Sequence, residues 1–198
     1  MNAKSIGIEN VNKGFVRYSD LDASAMTKGS PEDYQWYEFD SKQMASLGSL
    51  SQHLIKKHNL SSYNVIGHAD IAPHRKQDPG ILFPWGLLHE DYGVGAWLKK
   101  GELTEEAINK LYVPKEPLPQ GTSAAFMSKY LGLYGYQIQE QPELTPETGP
   151  VLTAFRAHFS HNQDPAAYKA EIDERDMLWA WGLVSKYGSY IDRKPIKE

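Results

Sequence analysis

The sequence contains no cysteine. Disulfide staples and thiolate ligands are therefore excluded, and any metal must be held by His, Asp or Glu. No apolar run approaches the roughly 18 residues a membrane span needs, so no transmembrane segment is expected. The opening Met1-Asn2-Ala3-Lys4-Ser5 lacks the apolar core of a signal peptide. Basic excess is missing too. Lys and Arg number 21 against 25 Asp and Glu, and the net charge of −4 leaves no electrostatic footprint for nucleic acid. What remains is ordinary for a globular protein: 198 residues, 40% hydrophobic and 23% charged, enough for one large domain or two small ones.

Ser5-Ile6-Gly7-Ile8-Glu9-Asn10-Val11-Asn12 alternates as a strand does, with Ile6 and Ile8 on one face and Gly7, Glu9 and Val11 on the other. Residues 13–38, including Gly29-Ser30-Pro31, read as a loop. A helix is predicted from about Ser41 to His58. Asp40 and Gln43 have capping-box spacing there, and Met44, Leu47, Leu50, Leu54 and Ile55 form an apolar stripe. Tyr63 to Gly67 reads as a short strand feeding a loop, His68 to Gly80, and Phe83-Pro84-Trp85 opens another short helix.

Between Val113 and Gly121 the chain carries three prolines, which marks a linker. Beyond it three helices are predicted. The first runs from about Thr122 to Tyr134 with Phe126, Tyr130 and Leu133 on one face. The second starts at Thr145-Pro146-Glu147 and carries Val151, Leu152, Phe155 and Phe159; the third starts near Asp173 and carries Met177, Leu178, Trp181 and Val184.

Chemistry-bearing side chains are densest from His68 to Asp78. Imidazole and carboxylate oxygen are both zinc ligands, and a loop leaving a strand end can fold both onto one ion. Lys76 is placed to stabilise a developing oxyanion, and Glu9 to take a proton from an attacking water. Spacing alone leaves other readings open. His68 and Asp78 can be a surface pair, Asp78 before Pro79-Gly80 a turn former, and Glu9 and Lys76 solvated charges.

The stretch Val65-Ile66-Gly67-His68-Ala69-Asp70-Ile71-Ala72-Pro73, then Arg75-Lys76, Asp78-Pro79-Gly80 and Phe83-Pro84-Trp85, closely resembles the signature of the type-2 N-acetylmuramoyl-L-alanine amidases. These belong to the zinc amidase superfamily that includes the peptidoglycan recognition proteins. Ser5-Ile6-Gly7-Ile8-Glu9, followed by Asn12, resembles the family's strand bearing the catalytic glutamate. The resemblance covers about residues 2 to 98. It implies Zn2+ as cofactor, His68 and Asp78 as metal ligands, and Glu9 and Lys76 as catalytic residues. The family's further zinc-binding His lies on an earlier strand; four residues precede Ser5 and none is a His, so the third ligand is expected upstream.

After the linker, Leu133-Tyr134-Gly135-Tyr136, Thr145-Pro146-Glu147-Thr148 and Val151 to Phe159 resemble the three-helix peptidoglycan-binding domain found in one branch of the family.

The resulting expectation is an α/β fold, a mixed central sheet flanked by helices without its N-terminal strands, plus a small all-α three-helix domain. The boundaries are 1–112 for an amidase catalytic domain, 113–121 for the linker and 122–190 for the helical domain. The expected reaction is zinc-dependent hydrolysis of the amide between N-acetylmuramic acid and L-alanine. Expected partners are peptidoglycan or muropeptides, with the N-terminal segment supplied as a separate polypeptide as a further option. A wall polymer as substrate implies the periplasm or cell surface, with the cytoplasm as the alternative. The rival reading is a non-catalytic peptidoglycan-binding protein using exposed aromatics such as Tyr134, Tyr136 or Trp181.

Overall fold

The structure is a computed structural model that describes residues 4–17, 34–138, 140, 142–143, 145, 148–164 and 171–192. Helix α1 spans Ser41–His58, the predicted bounds, with Asp40 accepting from the amides of Lys42 and Gln43. The capping box is only half made. The Gln43 side chain turns away and donates to the Val11 carbonyl at 2.9 Å. Of the predicted stripe, Met44 and Leu47 are buried and Leu50 is exposed. Met44 and Leu47 pack with Phe83, Trp85, Leu88 and Val94, which brings α1 against α3 (Trp85–Tyr92).

The expected α/β class is not what the chain forms. Among the described residues the sheet is two antiparallel strands, β1 (Phe15–Arg17) and β2 (Tyr34–Trp36), paired Phe15 to Trp36 and Arg17 to Tyr34, and the remaining elements are helical. Both strands fall inside the stretch read as loop, whose residues 18–33, with Gly29-Ser30-Pro31, lie outside the described residues.

Residues 5–12 form no strand, because alternation becomes a strand only where a neighbour supplies a ladder. The polar contacts of its end go elsewhere. Asn12 Nδ2 donates to the carbonyls of Tyr37 and Glu38 at 3.3 and 3.0 Å, and Ile6 and Val11 stay exposed. Tyr63 to Gly67 is likewise not a strand: Ser62–Asn64 is a 3-10 turn, and the Val65 amide returns to the Ser62 carbonyl at 3.0 Å.

Helix α2 (His68–Ile71) is a single turn inside the predicted loop, and α4 spans Glu105–Leu111. The C-terminal helices are α5 (Ala124–Tyr134), α6 (Gly149–His158) and α7 (Glu174–Tyr187). Helix α6 begins at Gly149, with Pro150 in its first turn, rather than at Thr145. The proposed proline start, Pro146-Glu147, lies outside the described residues. Helix α7 starts beside Asp173 as expected, and Asp173 caps it, accepting from the Asp176 amide at 2.9 Å.

Val151, Leu152, Phe155 and Phe159 are all buried, and so are Met177, Trp181 and Val184. They share one core with Ala69, Ala96, Leu98 and Ile108 from before the proline-rich stretch. Two polar ties reinforce the contact. Lys186 bonds Glu102 at 2.8 Å, and Trp181 Nε1 donates to the Glu116 carbonyl at 2.8 Å. Tyr134, Tyr136 and Trp181, the aromatics of the rival reading, are 7%, 7% and 0% exposed, so none presents a face to a polymer.

Arg156 and Asp176 form a fully buried pair joining α6 to α7, Nε and Nη2 lying 2.9 and 2.5 Å from one carboxylate oxygen. The Ser160 hydroxyl donates to the other carboxylate oxygen at 2.6 Å, and Arg156 also donates to the Glu171 carbonyl. Removing one member of a buried pair strands the other charge. Asp176→Ala should therefore lower the unfolding free energy by about 3–5 kcal/mol, read as a shift of the urea midpoint.

Glu102 gives a pH test. Burial raises its carboxyl, but the hydrogen bonds from Lys186, Tyr112 and the Lys99 amide outweigh this and hold it below its ordinary 4.5. A depressed carboxyl stabilises the fold above the unfolded value and loses that contribution as pH falls through the folded one. Lys186→Met should therefore lower stability at neutral pH and flatten its decline below about 4.5, measured by urea unfolding across a pH series.

Candidate metal-binding and active site

The loop from Gly67 to Gly80 is closed by its own backbone. The Ala69 amide donates to the Asp78 carbonyl at 2.9 Å, and the amides of Arg75 and Lys76 both return to Ala72. At its far end Gly80 takes φ +91°, and a Cβ there would lie 2.7 Å from the Trp36 ring. That position needs glycine both for backbone conformation and for the close approach of β2. At its near end Asp70 Oδ2 accepts from the Gly67 amide at 2.6 Å, which satisfies a free N–H just before α2.

This closure brings His68 and Asp78 together, Nδ1 to Oδ2 at 2.9 Å. Their side chains are 41% and 59% exposed, so both reach solvent. Two ligands of a tetrahedral zinc at about 2.0–2.2 Å stand roughly 3.3–3.6 Å apart, so the pair has the donor chemistry and the access that zinc requires and need open only slightly to take it. A catalytic zinc commonly takes three protein ligands. Among the described residues no third His, Asp or Glu offers an atom to this pair.

Neither other predicted residue is drawn to it by a bond. Glu9 is exposed in the irregular segment 5–12, and Lys76 is half-buried on the loop. Among the described residues neither makes a hydrogen bond or ion pair with His68 or Asp78. A cavity of about 580 Å³ between α1 and α3, lined by residues including Met44, Leu87, Asp91 and Tyr92, does not include the pair either.

Among the described residues one cluster of three has the composition of a metal site. Ligand atoms of His161, Asp173 and Asp176 lie within 4.8 Å of one another. Its carboxylates are already engaged, Asp176 by Arg156 and Ser160, and Asp173 by the Asp176 amide and by His161 Nε2 at 2.9 Å. The arrangement is that of a helix cap and buried ion pair.

Three residues around the loop escaped sequence reasoning. Asp70 receives the Tyr136 hydroxyl at 2.6 Å on one oxygen and stands 2.7 Å from His158 Nδ1 on the other. Burial, then the charge of Asp70, push the Tyr136 hydroxyl well above its usual range. Asp70 lies within the quoted motif, but its partners are 66 and 88 residues away and give no local signal.

Residues 1–81 match the family model described as N-acetylmuramoyl-L-alanine amidase. The match places the similarity to that family in the N-terminal part of the chain. Escherichia coli N-acetylmuramoyl-L-alanine amidase AmiD is 32% identical over 189 residues, which is 95% of this chain and 59% of AmiD. Enterobacter cloacae AmpD, a 1,6-anhydro-N-acetylmuramyl-L-alanine amidase, is 43% identical over 47 residues, 24% of this chain and 25% of AmpD.

Among solved structures, E. coli AmiD complexed with its substrate anhydro-N-acetylmuramic acid-L-Ala-D-gamma-Glu-L-Lys superposes with a TM-score of 0.66 at 30% identity, covering 90% of this chain and 60% of AmiD. AmpDh3 of Pseudomonas aeruginosa gives 0.60 at 26% identity, covering 80% and 58%. The chain thus spans about 59% of the length of AmiD, an amidase. No helix of the described residues is long and apolar enough to cross a membrane.

Exposed ion pairs contribute little to stability, so the amidase-type pair should be separable from the fold. His68→Ala and Asp78→Ala should each change the unfolding free energy by less than about 0.5 kcal/mol, checked by urea titration.

Proposed function

We propose that this protein is a zinc-dependent amidase that cleaves the bond between N-acetylmuramic acid and L-alanine in peptidoglycan or its fragments. The observation that carries the reading is the His68–Asp78 pair, two exposed zinc-type donors 2.9 Å apart within the stretch that matches the amidase family. The AmiD and AmpD names, and the anhydro-muramyl tripeptide bound to AmiD, support muropeptides as the substrate class.

His68 and Asp78 would hold the metal. Zinc bound there would supply Lewis acidity toward the scissile carbonyl and toward water. Glu9 would take the proton of the attacking water and return it to the departing L-alanine amine. Lys76, which has no bond to the pair, would place its ammonium beside the oxyanion of the tetrahedral intermediate. The closed backbone of the loop fixes where His68 and Asp78 stand, so little ordering is left for substrate binding to accomplish. An intact wall polymer would be met in the periplasm or at the cell surface.

The test is release of free tripeptide from anhydro-N-acetylmuramyl-L-Ala-D-gamma-Glu-L-Lys. Activity should vanish with a chelator and return with zinc. Glu9→Ala should lower kcat by about 10²–10⁴ and Lys76→Ala by about 10²–10³. A Glu9→Ala rate within about twofold of the parent would remove the assigned proton-transfer role.

A further inference from the structure

We infer that Tyr136 and His158 are positioning residues for His68, acting through the carboxylate of Asp70. Helix α2 is one turn long, far below the length at which a helix holds itself, so tertiary contacts must set the direction of His68. Asp70 supplies that contact. Its side chain is 9% exposed, and its two oxygens take the Gly67 amide at 2.6 Å, the Tyr136 hydroxyl at 2.6 Å and His158 Nδ1 at 2.7 Å. An ionised carboxylate only accepts, so Nδ1 of His158 carries the proton.

The donors are themselves immobile. The His158 ring is stacked on Trp85 at 3.8 Å and 17° and on Phe159 at 3.8 Å and 7°. Tyr136 is buried and its ring meets Phe155 edge-on at 6.1 Å. The backbone next to His68 fills the remaining space. A Cβ on Gly67 would stand 2.9 Å from Pro79 and 3.1 Å from the Asp70 carboxylate.

The segment after α6 also grips the other end of the loop. Asn162 Nδ2 donates to the carbonyls of Phe83 and Ile81 at 2.9 and 3.3 Å, and the Gln163 amide to Ile81 at 2.9 Å. Tyr136, His158, Asn162 and Gln163 therefore back the ligand loop, and α6 is part of the site's support. Its meaning for catalysis rests on reading His68 as a metal ligand; the mechanical claim does not.

The test uses the whole chain and needs neither metal nor substrate. Tyr136→Phe removes one oxygen and keeps the ring. His158→Phe keeps a flat ring between Trp85 and Phe159 but loses the N–H, whereas His158→Asn puts an N–H back near the Nδ1 position. Amide hydrogen exchange at Gly67 and Ala69, compared with α1, is the first readout, and the imidazole 15N signals of His68 are the second. Tyr136→Phe and His158→Phe should speed exchange at Gly67 and Ala69 by about tenfold or more and move the His68 signals, with α1 unchanged.

His158→Asn should recover most of the protection that His158→Phe loses. Unchanged exchange at the loop in Tyr136→Phe would overturn the inference. So would loosening of α1 by the same factor, because the contact would then be a strut for the whole fold. Tyr136→Phe decides alone should the His158 variants not fold. Loss of the amidase reading would leave this result standing, and failure here would leave the amidase assay to be judged by itself.

Discussion

A buried carboxylate needs fixed donors in place of water, since desolvating the charge costs several kcal/mol. Asp70 meets that condition with donors from both ends of the chain: the Gly67 amide beside it, and Tyr136 and His158 from beyond the proline-rich stretch. The constraint runs in both directions. Asp70 ties the loop to α6, and His158, held in the interior, has that carboxylate as its hydrogen-bond partner. The stack of Trp85, His158 and Phe159 carries the same requirement into the apolar core, where Phe159 meets Trp97 and Trp179. Core and ligand loop are therefore one packing problem.

What could be read from sequence divides along local and distant lines. Helix α1, the Asp40 cap, the start of α7 near Asp173 and the core faces of α6 and α7 follow from apolar spacing and capping residues a few positions apart. On α5 the buried side is Met127, Tyr130, Leu131 and Tyr134, with the expected Phe126 and Leu133 only partly buried. The His68–Asp78 approach was legible for a similar reason, because the loop between them is short and its ends share a backbone hydrogen bond. Strands could not be read this way. Ile6 and Ile8 alternate as a strand would, but a strand is defined by a partner, and partners are not encoded in the segment itself. The sheet appeared instead at Phe15–Arg17 and Tyr34–Trp36, inside the stretch without clean periodicity.

The support of the site was illegible for the strongest version of that reason. His158 has the spacing of a core position on α6, and it is buried as that spacing implies. Its bond to Asp70 joins residues 88 positions apart, and nothing near either announces the other. The tyrosines and Trp181 show the same limit. Their aromatic character suits either a binding face or a core, and the choice depends on how α5 and α7 meet; burial made it. The linker illustrates it again, since three prolines separate two stretches of backbone while their side chains share one core.

Among the described residues the pair His68–Asp78 and the cluster His161, Asp173 and Asp176 both carry metal-type donors, and their surroundings tell them apart. At His161, Asp173 and Asp176 the donors are close, but Arg156 already neutralises Asp176, Ser160 fills its second oxygen and Asp173 caps α7. A dication entering there would have to displace bonds that hold α6 to α7 and sit beside a guanidinium in a medium of low dielectric. At His68 and Asp78 the pair bond is to each other, both side chains face solvent, and the nearest buried charge, Asp70, is spent on the backbone and on α6 rather than on the ligands. Exposed ion pairs of this kind add little to a fold, so stability alone would not call for a histidine and an aspartate to meet there. Under the proposed function the pair would serve a metal instead, with solvent on one side, the loop's closed backbone on the other, and two donors 2.9 Å apart.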